Sequence, residues 1–104
     1  MSSLYALGVE DTALVGACLE AAATGPFFPD WEFETLFGLS RDQLRAVSKR
    51  WPENVDEEET EIAVRNTLAN LCGYPHKQEE RLAEMVSATP DRVRQLWDKV
   101  GKPD

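Results

Sequence analysis

Glycine and proline divide this chain into short segments, and that punctuation limits what it can fold into more than any other feature. Gly25-Pro26, Pro29, Gly38, Pro52, Gly73, Pro75, Pro90 and Gly101 leave no room for a long uninterrupted element. The segments between them carry apolar residues at helical spacing. Leu14, Cys18 and Leu19 begin the first stripe, with Ala21 and Ala22 a turn further on. Leu44, Val47 and Trp51 form another, and Val64, Leu68, Leu71 and Cys72 a third. Leu82, Met85 and Val86 mark the fifth segment, and Val93, Leu96, Trp97 and Val100 the sixth. No segment alternates with a period of two or is rich in β-branched residues. The expected fold is therefore an all-α, compact single-domain bundle of five to seven short helices over residues 1–104.

Start signals agree with this division. Acids in Val9-Glu10-Asp11-Thr12 suit the opening of the first helix, which Gly25-Pro26 ends. Pro29 keeps Phe28 out of a helix, so Asp30 is the expected N-cap of Trp31–Phe37, with Gly38 as its stop. Ser40 and Gln43 read as a capping box. Asp56 with Glu59 is the expected start of the fourth helix, after a linker over 53–56. Thr89, Pro90 and Asp91 give the sixth its cap and first turn. Ser40–Val47 and Thr89–Leu96 share the order cap, x, Asp, x, apolar, Arg, x, apolar, which common capping chemistry explains without duplication.

The net charge of −8 is unevenly spread. Residues 1–30 hold Glu10, Asp11, Glu20 and Asp30 and no Lys or Arg, for −4. Residues 53–61 hold Glu53, Asp56, Glu57, Glu58, Glu59 and Glu61, for −6. A helix N-terminus favours two or three acids. Six exceed that need, because like charges one turn apart repel. Such a field disfavours nucleic acid and anionic membranes and favours a protein partner with a basic surface.

No catalytic assembly is legible. Gly73 and Pro75 break the helix that would align Cys72 with His76, and no Gly-x-Ser-x-Gly, P-loop or Gly-x-Gly-x-x-Gly is present. His76 with Glu79 and Glu80 has metal-like spacing but too few ligands, so no metal and no cofactor are expected. Cys18 and Cys72 read as buried thiols. The N-terminus lacks a signal-peptide pattern and no stretch approaches a membrane span, so a cytoplasmic location is expected. Leu82–Lys99 has a helix-turn-helix outline with Arg92, Arg94 and Gln95 on its second helix, but without the basic field that phosphate contact requires.

The expected partner-binding residues fall in two groups. Asp56, Glu57, Glu58, Glu59 and Glu61 make up the acidic run, and Asp30, Trp31, Glu32, Glu34, Asn66, Asn70, Tyr74 and His76 the second group. Trp31 is assigned to the core, although a Trp rimmed by carboxylates also suits an interface. Asn66 and Asn70, at i and i+4, are expected to cap a neighbouring loop or to line a polar contact.

Trp31-Glu32-Phe33-Glu34-Thr35-Leu36-Phe37-Gly38-Leu39 and Asn66-Thr67-Leu68-Ala69-Asn70-Leu71-Cys72-Gly73-Tyr74-Pro75-His76 resemble motifs of a group of short, uncharacterised bacterial helical proteins. The two motifs span about a fifth of the chain, and the resemblance implies little beyond a bacterial source. The short, acidic, helical, signal-free profile is also similar to that of immunity proteins of polymorphic toxins. The expected function is accordingly a non-catalytic immunity or antitoxin protein that occludes the functional surface of a toxin. The alternatives are a helix-turn-helix-like DNA-binding regulator and a small regulatory adaptor.

Overall fold

A computed structural model of the chain describes residues 4, 7–74 and 77–101. Six helices run in order among them: α1 (Val9–Thr24), α2 (Asp30–Phe37), α3 (Arg41–Arg50), α4 (Glu58–Gly73), α5 (Glu79–Val86) and α6 (Pro90–Gly101). The described residues contain no strand. The all-α bundle expected from the punctuation is the fold observed.

The two 16-residue helices form the centre. α1 packs against α3, α4, α5 and α6, and α4 packs against α1, α2, α3 and α6. Leu14, Val15, Cys18 and Leu19 of α1 meet Val64, Leu68 and Leu71 of α4 in one continuous core, to which every helix contributes. Ala21, Ala22 and Ala23 are almost fully buried at the end of α1. Side chains of that size let neighbouring backbone come close.

Two glycines serve as stops for distinct reasons. Gly38 ends α2 at φ +72°, a left-handed turn that L side chains resist. Gly25 ends α1 with an extended backbone, but a Cβ there would stand 2.5 Å from the Ala21 carbonyl oxygen and 2.5 Å from the Phe27 ring. The Ser40–Gln43 capping box opens α3. Thr89 caps α6 by accepting from the Arg92 backbone N–H.

Four local expectations are corrected. Asp30 is not the cap of α2: Pro29 occupies that position and Asp30 begins the helix, with its carboxylate drawn to Arg41. Asp56 does not start α4, which opens after Glu57. Residues 51–56 are a turn, held by the buried Asn54, whose side-chain N–H donates to the Val47 carbonyl at 3.2 Å. Met85 is exposed, because Leu82 and Val86 alone fill the buried face of the eight-residue α5. Trp31 is not core: it is 83% exposed. Phe33 and Phe37 define the buried face of α2, and Trp31, two residues before Phe33, is rotated about 200° away from it.

Candidate interaction surface

α2 and α4 run antiparallel, and side chains tie them at three levels. Tyr74 Oη donates to Glu32 at 3.0 Å, Asn70 Nδ2 to the Leu36 carbonyl at 2.9 Å, and Asn66 Nδ2 to the Phe37 carbonyl at 2.7 Å. The last carbonyls of a helix lack partners within it. Asn66 and Asn70 supply those partners for α2 from the neighbouring helix. Of the two roles expected for them, capping is the one the geometry displays. Beneath this seam Phe33 and Phe37 stack at 4.3 Å, and Phe28 meets Phe37 edge-on at 5.0 Å and Tyr74 at 5.3 Å. Accepting from the Tyr74 hydroxyl ties Glu32 to the seam. The same bond to a carboxylate raises the Tyr74 pKa, and burial adds to the rise.

The acids around Trp31 are thus largely engaged within the protein. The main engagement is by Arg41, which the motif reading overlooked. Its guanidinium donates to Asp30 at 3.0 Å, to the Ala22 and Ala23 carbonyls at 3.4 and 3.2 Å, and to the Phe28 carbonyl at 3.0 Å. It also lies 4.4 Å over the Phe33 ring. One side chain therefore joins the open C-terminal carbonyls of α1, the connector, α2 and α3. A sequence signal for it existed. Arg41 is the first residue of α3, where the helix dipole disfavours a cation, so its charge must be used elsewhere.

The acidic run lies at the other end of α4. Glu57 pairs with Arg50 through both oxygens, one at 3.0 Å, and this holds the Glu57 carboxyl below its usual range. Glu61 faces Arg65 at 3.4 Å. Glu53, Asp56, Glu58 and Glu59 are exposed and have no ion-pair partner among the described residues. Ile62, 43% exposed, stands three and four residues after Glu59 and Glu58, on their side of the helix. Trp31 and the run do not share one surface: α4 puts about 20 Å of helix between them. His76 lies outside the described residues.

Arg92, read in the sequence as a base-contacting candidate, is turned into the body of the protein. It pairs with Asp11, and Lys99 Nζ meets the other Asp11 oxygen at 2.8 Å. Hydrogen bonds from Lys99 and then Arg92 hold the Asp11 carboxyl below its ordinary value although the residue is buried. Arg94 extends to the Cys72 carbonyl at 3.4 Å. Cys18 is buried, and desolvation pushes its thiol up to about 12, so it is held as the neutral, unreactive form. Cys72 is only partly buried, short of the buried thiol expected, and desolvation still raises it.

Among the described residues, no three His, Cys, Asp or Glu side chains form a metal-ligand group, and no helix is long and apolar enough to cross a membrane. What the geometry offers instead is surface: an outward acidic face at the start of α4 and an exposed Trp at the start of α2. Compared with protein-family models, curated proteins and solved structures, the chain matches none.

Proposed function

We propose that the protein is a non-catalytic binding protein of the immunity or antitoxin type, which neutralises a toxin domain by occupying its basic functional surface. One observation carries this reading. Glu53, Asp56, Glu58 and Glu59 form no ion pair among the described residues: Arg50 and Arg65 are bonded to Glu57 and Glu61, and Glu53 and Glu59 feel Arg50 only at longer range. Crowded carboxylates that the protein leaves unbalanced repel one another, and a cationic surface relieves that repulsion.

A toxin that acts on nucleotides or nucleic acid presents a positive cleft, and an acidic helix N-terminus fits it as a substrate-like plug. Complementary charge speeds encounter toward about 10⁸ M⁻¹s⁻¹ at low salt. Apolar contact then sets the lifetime, and Ile62 supplies an apolar side chain beside Glu58 and Glu59. The DNA-binding alternative has less support, because Arg92 is engaged by Asp11.

The test is capture of the partner from the native host at low salt, followed by expression of that partner with and without this protein. The expected result is a basic partner that arrests growth alone, is tolerated when co-expressed, and is released by roughly 0.5 M salt, where screening shortens the reach of exposed charges. A partner that is harmless alone, or one held unchanged in high salt, contradicts the reading.

A further inference from the structure

A cavity of about 230 Å³ lies where the end of α4 meets the starts of α5 and α6. Pockets for drug-sized ligands run roughly 300–1,000 Å³, so this one suits a smaller guest. Its lining has two characters. Leu71, Leu82 and Val93 belong to the buried core and give it an apolar floor. Glu79 from the first turn of α5, and Asp91 and Arg94 from α6, are exposed and put charge of both signs around it. These charges share one cavity and yet stay unpaired. Neither carboxylate forms an ion pair among the described residues, and neither does Arg94, although Asp91 stands one helical turn before it. The one bond of the Arg94 guanidinium is a long one, from Nη2 to the Cys72 carbonyl at 3.4 Å, which leaves most of its five N–H donors open. Arg92, two residues earlier on the same helix, is instead spent on Asp11.

We propose that this cavity binds a small zwitterion with an apolar side chain, a free α-amino acid of about the size of leucine. Its carboxylate pairs with Arg94, its ammonium with Glu79 and Asp91, and its side chain rests on Leu71, Leu82 and Val93. The lining selects this class over its neighbours. A simple anion meets one guanidinium but two carboxylates, a simple amine leaves Arg94 unpaired, and a purely apolar guest satisfies none of the three. A few convergent polar groups over an apolar floor are the usual make-up of a small-molecule site. The cavity stands at the opposite end of α4 from the acidic run, so the inference goes beyond the toxin-binding reading and does not rest on it.

The probe is L-leucine, titrated into isotope-labelled protein while the backbone resonances are followed. Two relatives of equal shape serve as controls: isocaproate, which lacks the ammonium, and isoamylamine, which lacks the carboxylate. Leucine is expected to shift Cys72, Leu82, Asp91 and Arg94 together, with a dissociation constant of about a millimolar or tighter. Each control is expected to bind about tenfold more weakly, since it forgoes one set of charged hydrogen bonds. Arg94→Gln and Glu79→Gln change exposed side chains, and circular dichroism checks that both variants fold. Each is expected to weaken leucine about tenfold. A second reading comes from Cys72, the partly buried thiol in the lining, since Cys18 is buried elsewhere in the core. Saturating leucine is expected to slow alkylation of Cys72 several-fold in the parent and not in Arg94→Gln. No shift of these resonances up to about 20 mM leucine overturns the proposal. So does isocaproate or isoamylamine binding as tightly as leucine, or leucine binding equally to the parent and to both folded variants.

Discussion

The start of α2 and the start of α4 look alike in the sequence, each with several acids in and around a first helical turn, yet the protein uses them in opposite ways. Around α2, Asp30 is held by Arg41 and Glu32 by Tyr74, and the other end of that helix is closed by Asn66 and Asn70. Two of its three acids thus serve the fold, and Glu34 is exposed without an ion pair among the described residues. Around α4, Arg50 and Arg65 account for two carboxylates, and Glu53, Asp56, Glu58 and Glu59 face water without a partner among the described residues. The difference teaches that acid content alone does not mark an interface. What marks it is the share of that charge the protein does not balance itself.

The largest expected effect comes from breaking the inward-facing side of this comparison. Arg41→Ala removes four hydrogen-bond acceptors' common donor and the cation over Phe33. The expected destabilisation is about 2–3 kcal/mol, read as a lower urea midpoint with an unchanged slope. Arg41→Lys is expected to recover little, since an ammonium cannot span the same acceptors. A variant within about 0.5 kcal/mol of the parent would show that Arg41 is not the tie between these elements.

Next in size are Asn66→Ala and Asn70→Ala, each expected to cost about 1–2 kcal/mol by leaving a carbonyl at the end of α2 without its donor. Asn70 also donates to the Asn66 carbonyl at 2.8 Å, so the pair shares one network, and the double variant is expected to fall short of the sum. Strict additivity would show two independent caps.

Asp11 sharpens the comparison through pH. Its folded pKa lies below the ordinary 3.8, because Lys99 and then Arg92 bond the ionised form. A depressed folded pKa means that stability from this clamp is fully present above the unfolded value, and it is lost as pH falls through the folded one. Asp11→Asn is therefore expected to cost about 1–2 kcal/mol at neutral pH and to flatten the acid limb of stability below about pH 4. An acid limb identical to the parent's would contradict the clamp.

The bundle was legible because caps, stripes and stops act locally. Ser40 with Gln43, Thr89 with Pro90, and the stop at Gly38 all operate within one turn of where they are read. What the sequence concealed was long-range. Apolarity alone places Trp31 in the core, yet Phe33 and Phe37 set the buried face and leave it outside. Arg41 reaches acceptors up to 19 residues away, and Trp51 one 39 residues away, and no local pattern announces either bond. Of the two expected groups of surface residues, the acidic run was legible as charge. Its distance from Trp31 was not, because it depends on the antiparallel pairing of α2 with α4.

The smallest effect on stability belongs to the most informative substitution. Glu58→Lys with Glu59→Lys alters exposed side chains that make no ion pair among the described residues, so the only expected cost is about 1 kcal/mol from placing cations in the first turn of α4. The decisive measurement is the association rate of this variant with the captured partner as a function of salt, beside Glu34→Lys in α2. The charge reversal at α4 is expected to slow association about tenfold or more at low salt, with the gap closing as salt rises, while Glu34→Lys changes the rate far less. An unchanged rate for the α4 variant, or an equal loss for both, would show that the unbalanced acids are only a solvated face.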